Sequence, residues 1–291
     1  MQTRYRAAAT ALLLTATAAL AAPGGAADAA GTHHASAKAR SLTVTIASTR
    51  KGPAVSTNVL RPGFTTFKVV HKSGKAAGIE VLRLRKGYSL NHLLKDLPKV
   101  AGETVSVKAV RRVDKNVIFY GGADVSKKVP STRFAVDVDH AGKYYVVSVF
   151  TGQVTSFRAK GTHQRRTHPS ADGQVNAARG NVWKVKGTLP HQGWMKTTNN
   201  ALEPHFVEFD AVLASASDQD VADWFADPSS GPPPFDNTKP SFSTEVVSPG
   251  HTVYWKYAGT AGRHVIACFF PSKMNGVPHA FMGMIKVTTL S

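Results

Sequence analysis

Residues 261–270 read AGRHVIACFF and residues 141–150 read AGKYYVVSVF, and the two stretches align without gaps. Each begins with an Ala-Gly turn and continues as a run of β-branched, aromatic and small apolar residues, which is typical of a buried strand. One copy lies in each half of the chain. The repeat therefore predicts two copies of one β-fold, with a chance similarity of two turn-and-strand patterns as the alternative.

Short β-rich stretches surround both copies at intervals of roughly a dozen residues, the spacing of an antiparallel sandwich or barrel. They span residues 41–46, 65–70, 79–84, 134–138, 144–150, 154–158, 182–186, 195–198, 206–212, 252–257, 263–270 and 284–290. Helices are predicted at 89–97 and 217–225, each opened by a serine suited to the N-cap. The chain is therefore predicted to be all-β, with one short helix in each of two sandwich domains, 41–162 and 174–291.

The charge is divided unevenly between these two predicted domains. Residues 38–168 hold 25 Lys and Arg against 7 Asp and Glu, whereas residues 169–291 hold 9 against 10. A basic first domain is expected to bind an anionic cell-wall polymer, an anionic lipid surface, extracellular nucleic acid or an acidic redox partner; solubility alone is the alternative. The aromatic residues are not interleaved with the basic ones, so no specific nucleic-acid motif is indicated.

The first 29 residues are predicted to be a secretory signal peptide. Arg4 and Arg6 precede an apolar stretch at 7–22, and small residues follow at the cleavage positions. The apolar stretch is too short and too rich in alanine for a membrane anchor, and no other stretch is long enough to be a transmembrane segment. We therefore expect a secreted, extracellular protein, with a flexible leader at 30–40 before the first domain.

The chain has a single cysteine, Cys268, which excludes a disulfide scaffold, a Cys-rich zinc site and an iron–sulfur cluster. A free thiol in a secreted protein requires burial, an intermolecular bond or a metal. Together with His205, His279 and Met284 it supplies the two imidazoles, thiolate and distant thioether of a blue-copper site. Taken singly, the thiol and the thioether also suit a protein core, and the histidines suit loops and turns. Met282 is an alternative to Met284 as the thioether ligand.

These residues stand in stretches that resemble the cupredoxins. The segment NNALEPH at 199–205 is similar to the plastocyanin segment that supplies the first histidine ligand, and residues 262–287 are similar to the closing Cys–His–Met loop and last strand. The resemblance covers residues 180–291. It implies Greek-key cupredoxin-like β-sandwiches and one type 1 copper, with His205, Cys268 and His279 as equatorial ligands and Met284 as axial ligand.

The resemblance also implies differences between the two halves. Ser148 stands where Cys268 stands, and the segment 75–79 has no histidine, so the first domain is expected to lack a metal site. Ten residues separate Cys268 from His279, more than in plastocyanin and nearer to the type 1 site of copper nitrite reductases. By the same resemblance His279 is the solvent-facing ligand, with an apolar docking patch formed by Phe269, Pro278 and Phe281.

The sequence suggests two functions and argues against a third. The first is a secreted cupredoxin that transfers electrons to a redox partner protein or carries copper. The second is a metal-free cupredoxin-like binding module, attached to anionic cell-surface polymers through its basic first domain. An enzyme is not expected, because multicopper oxidases need His-X-His pairs and a His-Cys-His run, which the sequence lacks, and no nucleophile elbow or phosphate-binding loop is present.

Overall fold

A computed structural model describes residues 41–72, 74 and 76–291; the predicted signal peptide and leader lie outside them. The strands of the first half are β1 Leu42–Thr49, β2 Gly52–Val55, β3 Val59–Leu60, β4 Gly63–His71, β5 Ala77–Leu84, β6 Val117–Val125, β7 Ser131–Val138, β8 Gly142–Ser148 and β9 Val154–Ala159. Two helices, α1 Leu90–Val100 and α2 Val107–Asn116, lie between β5 and β6.

The second half repeats this order with one helix. Its strands are β10 Gly173–Ala178, β11 Val182–Lys186, β12 Gln192–Asn199, β13 Glu208–Ala211, β14 Phe242–Ser243, β15 Thr252–Ala258, β16 Gly262–Ala267 and β17 Ile285–Leu290. Helix α3, Asp218–Ala226, follows β13, and a 3-10 turn at His279–Met282 precedes β17. No helix of the described residues is long and apolar enough to cross a membrane.

The two halves have the same strand topology, except that β3 of the first half has no counterpart in the second. The first has the sheet orders β2-β1-β4-β7 and β3-β9-β8-β5-β6, and the second has β11-β10-β12-β15 and β14-β13-β16-β17. In the first half, β1 pairs antiparallel with β2 and parallel with β4. In the second half, β10 pairs antiparallel with β11 and parallel with β12. The repeat read from residues 141–150 and 261–270 corresponds to β8 and β16. The chain is all-β, with two cupredoxin-like β-sandwiches.

Equivalent strands of the two halves pair with each other. β7 and β15 run antiparallel, with Ala135 opposite Tyr254 and Phe134 opposite Trp255, and they merge one sheet of each half into a continuous eight-stranded sheet. Because each strand is the counterpart of the other, the antiparallel pairing relates the two halves locally by a two-fold rotation. The second sheets approach each other as well, through isolated bridges from β6 to residues 244 and 247.

The strands form because apolar side chains alternate along them with side chains that face solvent. In β1 and β4 the inward side chains Val44, Ile46, Phe67 and Val69 are fully buried, while their neighbours point outward. Phe67 stacks on Phe134 across the paired strands β4 and β7, with ring centroids 5.2 Å apart. This alternation fixes the register, because a slip by one residue would expose every core side chain.

Helix α2 is the element that the sequence does not reveal. Its N-cap is Ser106, which accepts a hydrogen bond from the Ala109 amide, and only Ala109, Val110 and Val113 are buried. Five of its ten residues are charged (VKAVRRVDKN), which hides the apolar stripe in a composition count. The predicted helices at 89–97 and 217–225 are present as α1 and α3, so the first half has two helices where one was expected.

Carboxyl groups gather where β5, β6, β13 and the segment after β14 meet. They belong to Glu80, Asp124, Glu208, Asp210 and Glu245, and burial raises the pKa of all five. Glu245 extends from the second half over the glycines of β5 and β6, where a Cβ at position 78 would collide with its Oε1 atom. The seam between the halves thus holds carboxyl groups away from water.

Candidate metal centre

Three predicted ligands from separate parts of the second half meet in the interior. Cys268 directly follows β16, His279 opens the 3-10 turn, and His205 lies in the loop between β12 and β13. Their ligand atoms all lie within 4.8 Å of one another, and all three side chains are buried. Among the described residues, no other group of three His, Cys, Asp or Glu side chains is this close.

The distances between the donor atoms suit a single metal ion. Cys268 Sγ lies 3.5 Å from His205 Nδ1 and 3.7 Å from His279 Nδ1. An ion bound to sulfur at about 2.3 Å and to imidazole nitrogen at about 2.0 Å, with near-tetrahedral angles, would hold these atoms about 3.6 Å apart. The two imidazole rings lie with their centroids 4.5 Å apart. The residues present therefore fit a metal bound by two nitrogens and one sulfur.

Burial sets the protonation of these groups. It lowers the pKa of His205 to about 3, with a smaller contribution from His279, so the His205 imidazole is neutral at physiological pH. Burial also lowers the pKa of His279 and raises that of the Cys268 thiol to about 12. The imidazoles are ready to bind a cation as neutral ligands. The thiol must lose its proton as a metal binds, so metal affinity will rise with pH.

The loop that carries His205 is held by an asparagine. Asn199, at the end of β12, donates its amide protons to the carbonyl oxygens of Glu203 and Val247 and accepts from the Ala201 amide. His205 itself exchanges two backbone hydrogen bonds with Val247, of 3.1 and 2.7 Å. These backbone hydrogen bonds hold His205 in place although it lies in a loop, and a metal ligand needs such support.

The segment from Cys268 to His279, which we call the metal loop, is closed on itself. Its ends meet through the Ala280 amide, which donates to the Cys268 carbonyl, and the His279 amide, which donates to that of Phe270. Its tip turns at Gly276, in the left-handed region with φ +78°, where the Gly276 amide donates to Ser272. The ten intervening residues therefore form a closed loop in which hydrogen bonds fix both ends, Cys268 and His279.

The two methionines differ in burial. Met284 is fully buried, and its carbonyl accepts the indole proton of Trp183, a residue whose ring also contacts His205 edge-on. Its amide donates to the His279 carbonyl. Met282 is 45% exposed. Burial and backbone contact place Met284 next to the ligand histidine, while Met282 faces solvent.

The expected exposure of His279 is wrong. Its side chain is 0% exposed, and its Nε2 atom faces the Glu203 carboxylate at 3.3 Å. The residues of the expected docking patch, Phe269, Pro278 and Phe281, are each half-buried. Phe269 and Phe281 pack on Phe225 of α3, with ring centroids 6.1 and 5.8 Å away. The ring of His279 is closed off because a carboxylate and the metal loop cover it.

Glu203 is a residue of the site that the sequence analysis did not identify. It is buried, and its carboxylate accepts the Lys273 amide at 2.8 Å and the Ser272 hydroxyl at 3.5 Å, besides facing His279. A carboxylate behind a ligand imidazole fixes the ring and its tautomer and increases its basicity. The signal in the sequence is weak, since it consists only of an acidic residue two positions before His205.

No protein-family model matches the chain, and no curated protein matches it. Solved structures similar to it include reduced auracyanin from Roseiflexus castenholzii, at 18% identity over 40% of this chain and 94% of that one, with a TM-score of 0.26. The copper nitrite reductase from Nitrosomonas europaea is similar at 11% identity over 87% and 94%, with a TM-score of 0.23.

The copper-containing nitrite reductase from Thermus scotoductus shows the same kind of likeness. It has 12% identity over 86% of this chain and 68% of that one, with a TM-score of 0.23. Structures this distant support no conclusion about what the chain binds or does. The chemistry of the centre follows from the geometry of His205, Cys268 and His279 themselves.

Proposed function

We propose that the chain binds one copper ion, which His205, Cys268 and His279 would hold with Met284 as a fourth ligand, and that it transfers single electrons. The observation that carries this proposal is the buried set of two imidazole nitrogens and one sulfur, spaced for one ion. Thiolate and thioether ligands suit Cu(I) and imidazole suits Cu(II) as well, so a copper ion bound here would change its charge by one electron.

The protein's own part is to hold the ligands still. Asn199 fixes the loop of His205, the closed metal loop fixes Cys268 and His279, and Glu203 holds the Nε2 side of His279. Ligands that are held in one arrangement have little need to move when the charge of the metal changes, which favours rapid electron exchange.

Electron transfer is favoured over copper carriage by the burial of the ligands. His205, Cys268, His279 and Met284 are each 1% exposed or less. Delivery of copper to another protein requires that an incoming ligand reach the ion, whereas an electron leaves without opening the centre. Carriage would show itself as fast transfer of the ion to a partner or chelator.

The test is a titration of the mature, metal-free chain with Cu(II), followed by visible absorption, with bound copper counted in the same sample. We expect one copper per chain and an intense thiolate-to-copper band. The Cys268→Ser variant should lose the band and keep its β-sheet circular dichroism. Absence of stoichiometric copper in the wild type, or an undiminished band in the variant, would contradict the proposal.

We propose a secreted, extracellular location for the chain, from the signal pattern of its first 29 residues, and no enzymatic reaction. The metal-free binding module remains the second candidate, favoured by the positive charge concentrated in residues 38–168. Binding to a polyanion resin across a salt series tests it. A first-half variant with charge reversals at exposed lysines should elute at lower salt, and equal elution of wild type and variant would contradict it.

A further inference from the structure

The first half contacts the metal loop directly, through helix α2. Arg111 donates from Nε to the Lys273 carbonyl at 2.8 Å and from Nη2 to that of Met274 at 3.5 Å. The turn at Gly276 packs on Val105 and Val107, at the start of the same helix. The outer side of the metal loop therefore rests on the first half.

Lys273 connects this contact to the loop of His205. Its ammonium group donates to Asp114 of α2 at 3.1 Å and to the Leu202 carbonyl at 3.1 Å. Its backbone amide donates to Glu203 at 2.8 Å. One residue of the metal loop thus bridges the helix of the first half and the segment that leads to His205.

Glu203 completes the connection to the centre, because its carboxylate lies 3.3 Å from Nε2 of His279. The sequence of contacts runs from Asp114 to Lys273, from Lys273 to Glu203, and from Glu203 to the histidine. Each step is a direct hydrogen bond or ion pair between partly or fully buried groups, for which the loss of a charged partner is costly.

We propose that α2 is a clamp: Asp114 and Arg111 hold the metal loop closed, so that the first half controls access to Cys268 and the retention of the ion. Asp114 and Arg111 are positioning residues that act through Lys273. The retention of copper rests on the function proposed above. Access to the thiol does not, because it is a property of the metal-free chain.

Cys268 is the only thiol of the chain, so alkylation by iodoacetamide reports on this centre alone. We expect slow alkylation in the metal-free wild type and a rate about 10- to 100-fold higher in Asp114→Asn and Arg111→Ala, the factor that corresponds to losing a hydrogen bond to a charged group. The matched control is Arg112→Ala, since Arg112 pairs with Asp96 within the first half.

The free energy of unfolding, measured for each variant by denaturant titration, separates loop opening from global unfolding. A rate increase that exceeds the loss of global stability, confined to the Asp114 and Arg111 variants, supports the clamp. Unchanged alkylation in both variants, or an equal increase in Arg112→Ala, overturns it.

Copper-loaded samples give an independent reading. Release of copper to bathocuproine disulfonate under ascorbate should be about tenfold faster in Asp114→Asn than in the wild type or in Arg112→Ala, and equal release rates overturn the retention part of the proposal. If the wild type binds no copper, the proposed function fails while the alkylation rates still decide the clamp.

Discussion

The Oε2 atom of Glu203 lies 3.3 Å from Nε2 of His279, on the side of the imidazole that faces away from Cys268. The ligand ring is therefore held between a sulfur and a carboxylate, both inside the protein. A negative charge at this position stabilises the more positive oxidation state of a bound ion and restricts rotation of the ring.

Removing that charge should raise the reduction potential of the copper-loaded protein. In Glu203→Gln we expect a rise of about 60 mV, a tenfold shift in the one-electron equilibrium, with the thiolate-to-copper band retained. Voltammetry of the loaded protein measures it. Asp223→Asn on α3 removes a charge that is exposed to solvent and therefore screened, and it should leave the potential unchanged. Equal potentials in Glu203→Gln and wild type would refute the role assigned to Glu203.

Variants of the two methionines should show which of them is the fourth ligand. Met284→Leu conserves volume in a buried position and should cost less than about 1.5 kcal/mol of unfolding free energy. It removes a sulfur donor, so the potential of the loaded protein should rise and the visible spectrum should change. Met282→Leu, at an exposed position, should change neither property. A spectral change in the Met282 variant alone would exchange the two assignments.

Ionisation of Asp210 should lower stability as the pH rises from about 4 to about 7. Burial raises the pKa of this carboxyl to about 7. Between the unfolded and folded pKa values the folded chain keeps a proton that the unfolded chain releases, so Asp210 lowers the unfolding free energy by up to about 1.4 kcal/mol per pH unit. Buried histidines act in the opposite direction below about pH 6.5, because burial lowers the pKa values of His205, His251, His264 and His279. The contribution of Asp210 is therefore measured as the difference between a variant and the wild type.

Denaturant titration of the metal-free chain at pH 4.5, 5.5 and 7 measures this difference. Asp210→Asn cannot ionise, so its unfolding free energy relative to that of the wild type should increase with pH between about 4 and 7. An equal pH dependence in Asp210→Asn and the wild type would show that Asp210 ionises in the folded chain as readily as in the unfolded chain.

The two halves should unfold together. All four tryptophans lie in the second half, so their fluorescence reports on that half alone. Phe67→Ala in the first half should cost about 3–5 kcal/mol and, because β7 pairs with β15, should lower the fluorescence midpoint as much as the circular dichroism midpoint. A fluorescence midpoint that stays at the wild-type value would mean that the halves unfold independently.

Much of the fold follows from local patterns in the sequence. Strand alternation, glycine turns and serine N-caps act within a few residues, and the repeat at 141–150 and 261–270 indicates two equivalent sandwiches. The choice of His205, Cys268 and His279 rested on the ligand types of a blue-copper site and on the resemblance of their segments to those of cupredoxins. Helix α2 was not predicted, because its apolar face has only three residues and five of its ten residues are charged.

The environment of the centre depends on contacts that no local pattern contains. His279 was expected at the surface, but it is covered by Glu203, which lies 76 residues before it in the sequence. The contact between Asp114 and Lys273 likewise joins residues 159 positions apart. The buried carboxyl groups at the seam likewise come from strands of both halves. Such contacts depend on how the two sandwiches meet, and residue spacing within either half says nothing about it.

The pairing of β7 with β15 has a further consequence for any attempt to isolate the metal-binding half. In the intact chain each strand covers the open hydrogen-bonding edge of the other. A fragment that begins after the first half would present β15 as a bare edge, with a row of amide and carbonyl groups that another chain can pair with. Such a fragment should form dimers or aggregates, so the first half also acts as a built-in protection against self-association.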